Sequence, residues 1–189
     1  MPYNRGDYRH KWRIERLATG IRRELGLDQL TPLSPWRLAD AIPAHIFYPE
    51  DFDNDGLARR MRGVKWDAFG FCCPGERTLM ILLNPAKPKT RQTATLMEEF
   101  SHHLLGHEPC KIAINASTGF LERSYDKPQE DEAYDLGAAL LLSKERIQRD
   151  VAAQLTAEDI AAVHDCSDDI VIYRIKRMRL WQRYERYAA

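Results

Sequence analysis

From Thr90 to Leu105 the chain reads as one amphipathic helix, and no other segment constrains the fold as tightly. Met97, Phe100, Ser101 and Leu104 fall at i, i+3, i+4 and i+7, which gives this helix a face to bury. Glu98 and His102, four apart, share a different stripe, so their side chains lie one above the other. Glu99 is turned by about 100° from Glu98. Gly106 follows as the residue that a helix end favours.

Patterns around this helix define its neighbours. Trp12, Ile14, Leu17, Ile21 and Leu25 recur at helical spacing over Asp7 to Leu25, with Gly26 as a stop. Ser34 followed by Pro35 reads as an N-cap with proline at the first helical position, opening a short helix to about Ile42. His45 to Tyr48 is a strand candidate, and Pro49 to Gly56 an acidic loop. Val64 to Cys73 and the apolar run Leu79 to Leu83, joined through Pro74-Gly75, read as a hairpin. After a less regular stretch a second strong helix runs from Gln129 to Leu142. Thr156 and Ser167 cap two further elements, Ala157 to His164 and Asp168 to about Arg183.

A chain of 189 residues suits one compact domain with a small appendage. We place the main domain at 1–150 and a helical extension packed on it at 151–189. Formal charge balances at zero, so no general attraction to nucleic acid or membrane follows. Four cysteines form neither a disulfide framework nor a C-x-x-C pair, which fits a reducing cytoplasm. No run approaches the length of a membrane span, and the N-terminal segment lacks the apolar core of a signal peptide.

The chemistry lies in Glu98-Glu99-Phe100-Ser101-His102, which has the frame of the H-E-x-x-H signature with its first histidine changed to glutamate. One metal ion can bridge Glu98 and His102, and Glu99 can approach a water activated there without being a ligand. A third ligand must come from another element. The second helix offers Glu130 and Glu132 on the two margins of a buried face made by Ala133, Leu136, Gly137 and Leu140. Helical geometry alone does not choose between them. His103 and His107 form another pair four apart, but His107 lies beyond the cap, and we read it as a supporting or exposed residue. His107 and Tyr134 are both candidates to hold a developing oxyanion, and spacing selects neither. His45, His164 and Cys166 are read as structural, and Trp66, Phe69 and Phe71 as filling the sheet face.

The run Thr95 to His102, then Glu130-Asp131-Glu132-Ala133 and the tail Gly137 to Leu142, resembles the ImmA/IrrE family of metallopeptidases. Ile81-Leu82-Leu83-Asn84-Pro85 and Arg91 resemble the lead-in to its motif helix. The resemblance implies an α+β fold: a zincin-like domain of helices packed on a small mixed or antiparallel sheet. It implies metal ligands at Glu98, His102 and Glu132, the last chosen because it directly precedes Ala133 in the family pattern, and Glu99 as general base. Family members commonly act in bacterial regulation or mobile-element biology, and some cleave or inactivate a partner repressor. The implied substrate is therefore a specific protein partner, with a helix-turn-helix repressor as candidate. Zinc is the expected metal, while a carboxylate-rich shell also suits manganese or iron. Because Glu98 adds negative charge and lowers Lewis acidity, a catalytically silent regulator that binds a repressor or DNA is the alternative.

The two capped elements of the extension resemble a helix-turn-helix, and the second carries Arg174, Lys176, Arg177, Arg179 and Arg183. We favour the simpler reading, in which Val171, Ile175 and Met178 dock this helix on the core and its basic residues face water.

Overall fold

The computed structural model describes residues 5–52, 66–72, 78–107, 112–114, 121–123 and 126–188. The chain opens with α1 (Arg5–Glu24), then α2 (Pro35–Ala39), β1 (Ala44–Phe47), β2 (Ala68–Cys72), β3 (Leu79–Leu83) and α3 (Lys89–Leu105). β4 (Ile112–Ile114) and β5 (Leu121–Arg123) precede α4 (Lys127–Leu141), α5 (Lys144–Ala152), α6 (Ala157–His164), α7 (Asp168–Arg177) and α8 (Trp181–Tyr184). The end of the acidic loop and the Pro74-Gly75 turn lie outside the described residues.

Ser34, Thr156 and Gly106 cap their helices as the sequence predicts, while Ser167 stands at the start of α7 without a side-chain capping bond. Ser34 Oγ accepts from Arg37 N, and Thr156 with Asp159 closes a reciprocal capping box on α6. Gly106 ends α3 at φ 68°, a left-handed turn that glycine adopts without a Cβ clash.

The main sheet has the order β1-β3-β2. β2 pairs with β3 antiparallel, with Gly70 opposite Ile81, as the hairpin reading requires. β1 pairs with β3 in parallel, Ile46 opposite Ile81, so the sheet is mixed. This fold is α+β, a small sheet covered by helices with a helical extension. β4 and β5 form a separate antiparallel ribbon that the sequence reading missed, because three-residue strands carry no usable period.

The core gathers around α4. Every residue from Leu136 to Leu142 is buried, so the C-terminal half of this helix is apolar all round and needs neighbours on all sides. α3 packs along one flank and α1 along another, with α7 on a third side, while α3 also contacts β2, β3 and α2. The last carbonyls of α4 are satisfied from outside the helix. Buried Arg22 donates from Nη1 to Leu140 O at 2.6 Å, and buried Arg174 from Nε to Leu142 O at 2.9 Å. Cations suit this end of a helix dipole.

Two expectations for the C-terminal part need correction. α5 was overlooked; it is mostly charged outside and anchors through buried Ile147 and Val151, one turn apart. α7 was expected to run to about Arg183 but ends at Arg177. There Arg179 takes φ 59° and the chain reverses, with Leu180 N donating to Ile175 O at 2.9 Å. The reversal lets Tyr184 fold back, where its hydroxyl accepts from Ala157 N at 2.9 Å, and sets Trp181 beside Lys176. That burial outweighs the roughly 1–2 kcal/mol cost of a left-handed non-glycine residue.

Val171, Ile175 and Met178 do face the core, but the basic residues of α7 do not all face water. Arg174 is buried and grips Glu15 of α1 with two nitrogens at 2.7 and 3.1 Å, and Arg177 pairs with buried Asp135 at 2.6 Å. Among the described residues no helix is long and apolar enough to cross a membrane.

Candidate metal centre

α3 presents its stripes as the sequence predicts. Met97, Phe100 and Ser101 are fully buried, Leu104 is half-buried, and Glu98 and His102 sit at the margin in half-buried positions. Across from them lies the first turn of α4, where Asp126 caps the helix by accepting from Gln129 N. Glu98, His102 and Glu130 converge: each offers a ligand atom within 4.8 Å of the others.

The third residue of the converging group is Glu130, and Glu132, the ligand that the family resemblance implies, lies outside that group. Glu130, Ala133 and Gly137 fall at i, i+3 and i+7, one stripe of α4. That stripe faces α3 at close range, since a Cβ on Gly137 would lie 3.0 Å from the carbonyl carbon and oxygen of Met97. Glu132 is turned by about 200° from Glu130 and points elsewhere. Its partners are Arg13 and His10 of α1, the latter with Nδ1 at 3.8 Å, and His107 with Nε2 at 3.2 Å. The glycine that lets α4 approach α3 was the signal in the sequence that could have chosen Glu130.

Two carboxylates and an imidazole fit a divalent cation. His102 Nε2 and Glu130 Oε2 are 3.5 Å apart, longer than a good hydrogen bond. It is close to the roughly 3.3–3.5 Å between neighbouring ligand atoms in a tetrahedral site with bonds of about 2.0–2.1 Å. Glu98 and Glu130, brought together from two helices, also place two like charges where a cation would relieve their repulsion.

Glu99 is turned by its position on α3 towards β2 rather than towards α4. It is 7% exposed and its carboxylate lies under the edge strand β2, where a Cβ on Gly70 would meet Glu99 Oε2 at 2.3 Å. Tyr134 of α4 is half-buried and keeps its proton more firmly than a free phenol, through burial first and the charge of Glu98 next. Arg91 at the start of α3 binds Asp67 Oδ2 at 2.6 Å, and that bond, with Glu98 as a smaller contributor, raises its pKa. His107 is held towards its neutral form, chiefly by burial, against the pull of Glu130 and Asp126. Its Nδ1 lies 2.9 Å from His102 Nδ1. His103 is half-buried and is not part of the converging group. Trp66 is buried and stacks on Phe69 at 5.6 Å, while Phe71 is exposed rather than packed into the sheet face.

A motif helix that offers a glutamate and a histidine one turn apart, crossed by a second helix that offers a carboxylate, over a small mixed sheet, is the architecture of a metallopeptidase-like domain. The chain belongs to the ImmA/IrrE family: the family model described as the IrrE N-terminal-like domain, Peptidase_M78, matches residues 54–176. The match takes in the motif helix, α4 and most of the C-terminal helices. No curated protein and no solved structure matches the chain. Membership implies a divalent metal and a protein or peptide substrate.

Proposed function

We propose that this protein is a metal-dependent peptidase acting in the cytoplasm on a specific protein partner, with a transcriptional repressor as the candidate substrate. The observation that carries the reading is the convergence of Glu98, His102 and Glu130, with a buried glutamate, Glu99, at the general-base position of the motif. Glu98, His102 and Glu130 would hold the cation, with zinc as the expected metal and manganese or iron compatible with the two carboxylates. When bound, the cation supplies Lewis acidity towards the scissile carbonyl and a water. Glu99 would serve as the general base for the attacking water and then as the proton donor to the leaving amine. Burial under β2 limits the rotamers open to Glu99 and keeps bulk water from competing for its oxygens.

The purified protein should contain about one divalent ion per chain by elemental analysis. His102→Ala and Glu130→Gln should lose it. Glu99→Gln should keep it, yet lower cleavage of a mixed peptide library, read as new termini by mass spectrometry, by about 10²- to 10⁴-fold. A chain that takes up no metal under replete conditions would rule the reading out.

One observation favours a second reading. The carboxylate of Glu98 replaces an imidazole and neutralises the cation further, which opposes activation of water. A silent regulator would keep the site for shape and bind its partner without cutting it. Full biological effect in the Glu99→Gln protein would select that reading. For a DNA-binding version, two of the basic residues it needs, Arg174 and Arg177, are engaged inside the fold.

A further inference from the structure

Behind the candidate metal centre, Glu132, His107 and His102 form a chain of hydrogen bonds that leads from α1 to the ligand set. Gly106 turns the backbone back at the end of α3, so that His107 N donates to His102 O at 3.0 Å. The two imidazoles meet edge to face, with ring centroids 5.0 Å apart. Glu132 lies beyond, paired with Arg13.

The direction of this chain follows from which atoms can donate. A carboxylate only accepts, so in the 3.2 Å contact it is His107 Nε2–H that donates to Glu132 Oε2. A cation bound at His102 Nε2 needs a lone pair on that atom, so the proton of a neutral His102 ring sits on Nδ1 and the neighbouring His107 Nδ1 accepts it. The 2.9 Å contact between the two Nδ1 atoms then requires His102 Nδ1–H as donor. With its proton on Nδ1, His102 carries a lone pair on Nε2, the atom that faces Glu130. The other tautomer would place a proton where a cation must sit.

We propose that His107 and Glu132 are positioning residues that fix His102 as its Nδ1–H tautomer and present its Nε2 lone pair to a cation held with Glu98 and Glu130. The proposal rests on the metal-centre reading above. It gives Glu132 a role one step behind the ligands and ties that role, through Arg13 and His10, to helix α1. A polar partner on the far nitrogen of a histidine ligand orients the ring and raises its basicity, and its loss costs about 10- to 100-fold in metal affinity.

Two measurements on the full chain test this. In the metal-free protein, two-bond ¹H–¹⁵N correlation of the imidazole nitrogens should find His102 as Nδ1–H in the wild type and shifted towards Nε2–H in His107→Phe. Competition for zinc against a chromophoric chelator should then give an affinity about 10- to 100-fold lower for His107→Phe, with saturation still at one ion per chain. His107→Asn, whose Oδ1 can take the place of the Nδ1 acceptor, should recover most of the loss. Glu132→Gln should weaken binding by about tenfold, whereas loss of a direct ligand would abolish it. A wild-type His102 found as Nε2–H, or equal zinc affinity in wild type and His107→Phe, overturns the proposal. The expected tautomer in a wild-type protein that takes up no zinc would overturn the metal centre and leave the hydrogen-bond chain standing.

Discussion

Gly70 and Glu99 are the residue pair on which the proposed chemistry is most exposed to a single methyl group. A Cβ at position 70 would lie 2.3 Å from Glu99 Oε2 and 3.1 Å from Cδ, so the carboxylate must swing away while the strand itself can stay in place. Alanine also suits a strand better than glycine, by roughly 0.5–1 kcal/mol. Gly70→Ala should therefore keep its melting temperature and its metal content and yet lose activity, by about 10²-fold if the base moves about 1 Å. Peptide cleavage measured beside elemental analysis checks this; unchanged cleavage would show that Glu99 does not act from its position under β2. At this scale the sequence was informative where one helix holds both partners. Glu98 and His102 share a stripe by periodicity alone, and a four-residue spacing needs no tertiary knowledge. The third ligand was harder, because the choice between Glu130 and Glu132 depends on which side of α4 meets α3. The family pattern points to Glu132, while the α3–α4 packing at Gly137 brings Glu130 within reach of Glu98 and His102.

Between elements, the crossing of α3 and α4 sets the spacing of the ligand stripe. Position 137 has no room for a side chain: an added Cβ would stand 3.0 Å from Met97 C and O and 3.3 Å from Glu98 N, all backbone atoms that cannot rotate away. Gly137→Ala gains about 1 kcal/mol in helix propensity but overpacks the crossing at a cost of about 1–3 kcal/mol. It should lower the melting temperature and, by pushing α3 at Glu98, weaken zinc binding in the same competition assay. Gly20→Ala is the control, since a Cβ there meets nothing within 4 Å, and it should stabilise α1 by roughly 0.5–1 kcal/mol. A Gly137→Ala protein as stable as Gly20→Ala, with wild-type zinc affinity, would contradict the account of the crossing. Elements with caps and a clear period were legible in the sequence, as α1, α3, α4 and α6 show. α5 and the β4–β5 ribbon were not, because one has only Ile147 and Val151 as large apolar residues among nine and the other is too short. The end of α7 was misplaced because Arg179 gives no local sign of its left-handed backbone; the cause is Tyr184, which reaches Ala157 from the far side of the turn.

For the whole molecule, His164 couples stability to pH across three helices. It lies on α6, 5% exposed, with Arg146 and Asp150 of α5 and Arg22 of α1 as charged neighbours. Burial first, and Arg146 next, depress its pKa from 6.5 to about 4. The folded state thus binds the His164 proton less tightly than the unfolded chain does. Between pH 6.5 and about 4 the unfolded chain holds more protons, so the stability contributed by neutral His164 is complete above pH 6.5 and declines as the pH falls through this window. A shift of this size corresponds to about 3 kcal/mol when the decline is complete. The charged pair Arg146–Asp150 is present in both wild type and variant, so a substitution at 164 isolates the histidine. His164→Leu should remove the decline: its unfolding midpoint in urea should change less between pH 7 and pH 4.5 than that of the wild type. Parallel pH profiles for the two proteins would mean that His164 gains a proton in the folded state as easily as in the unfolded chain. In that case the core around α6 would have to admit water or an unrecognised acceptor for its ring.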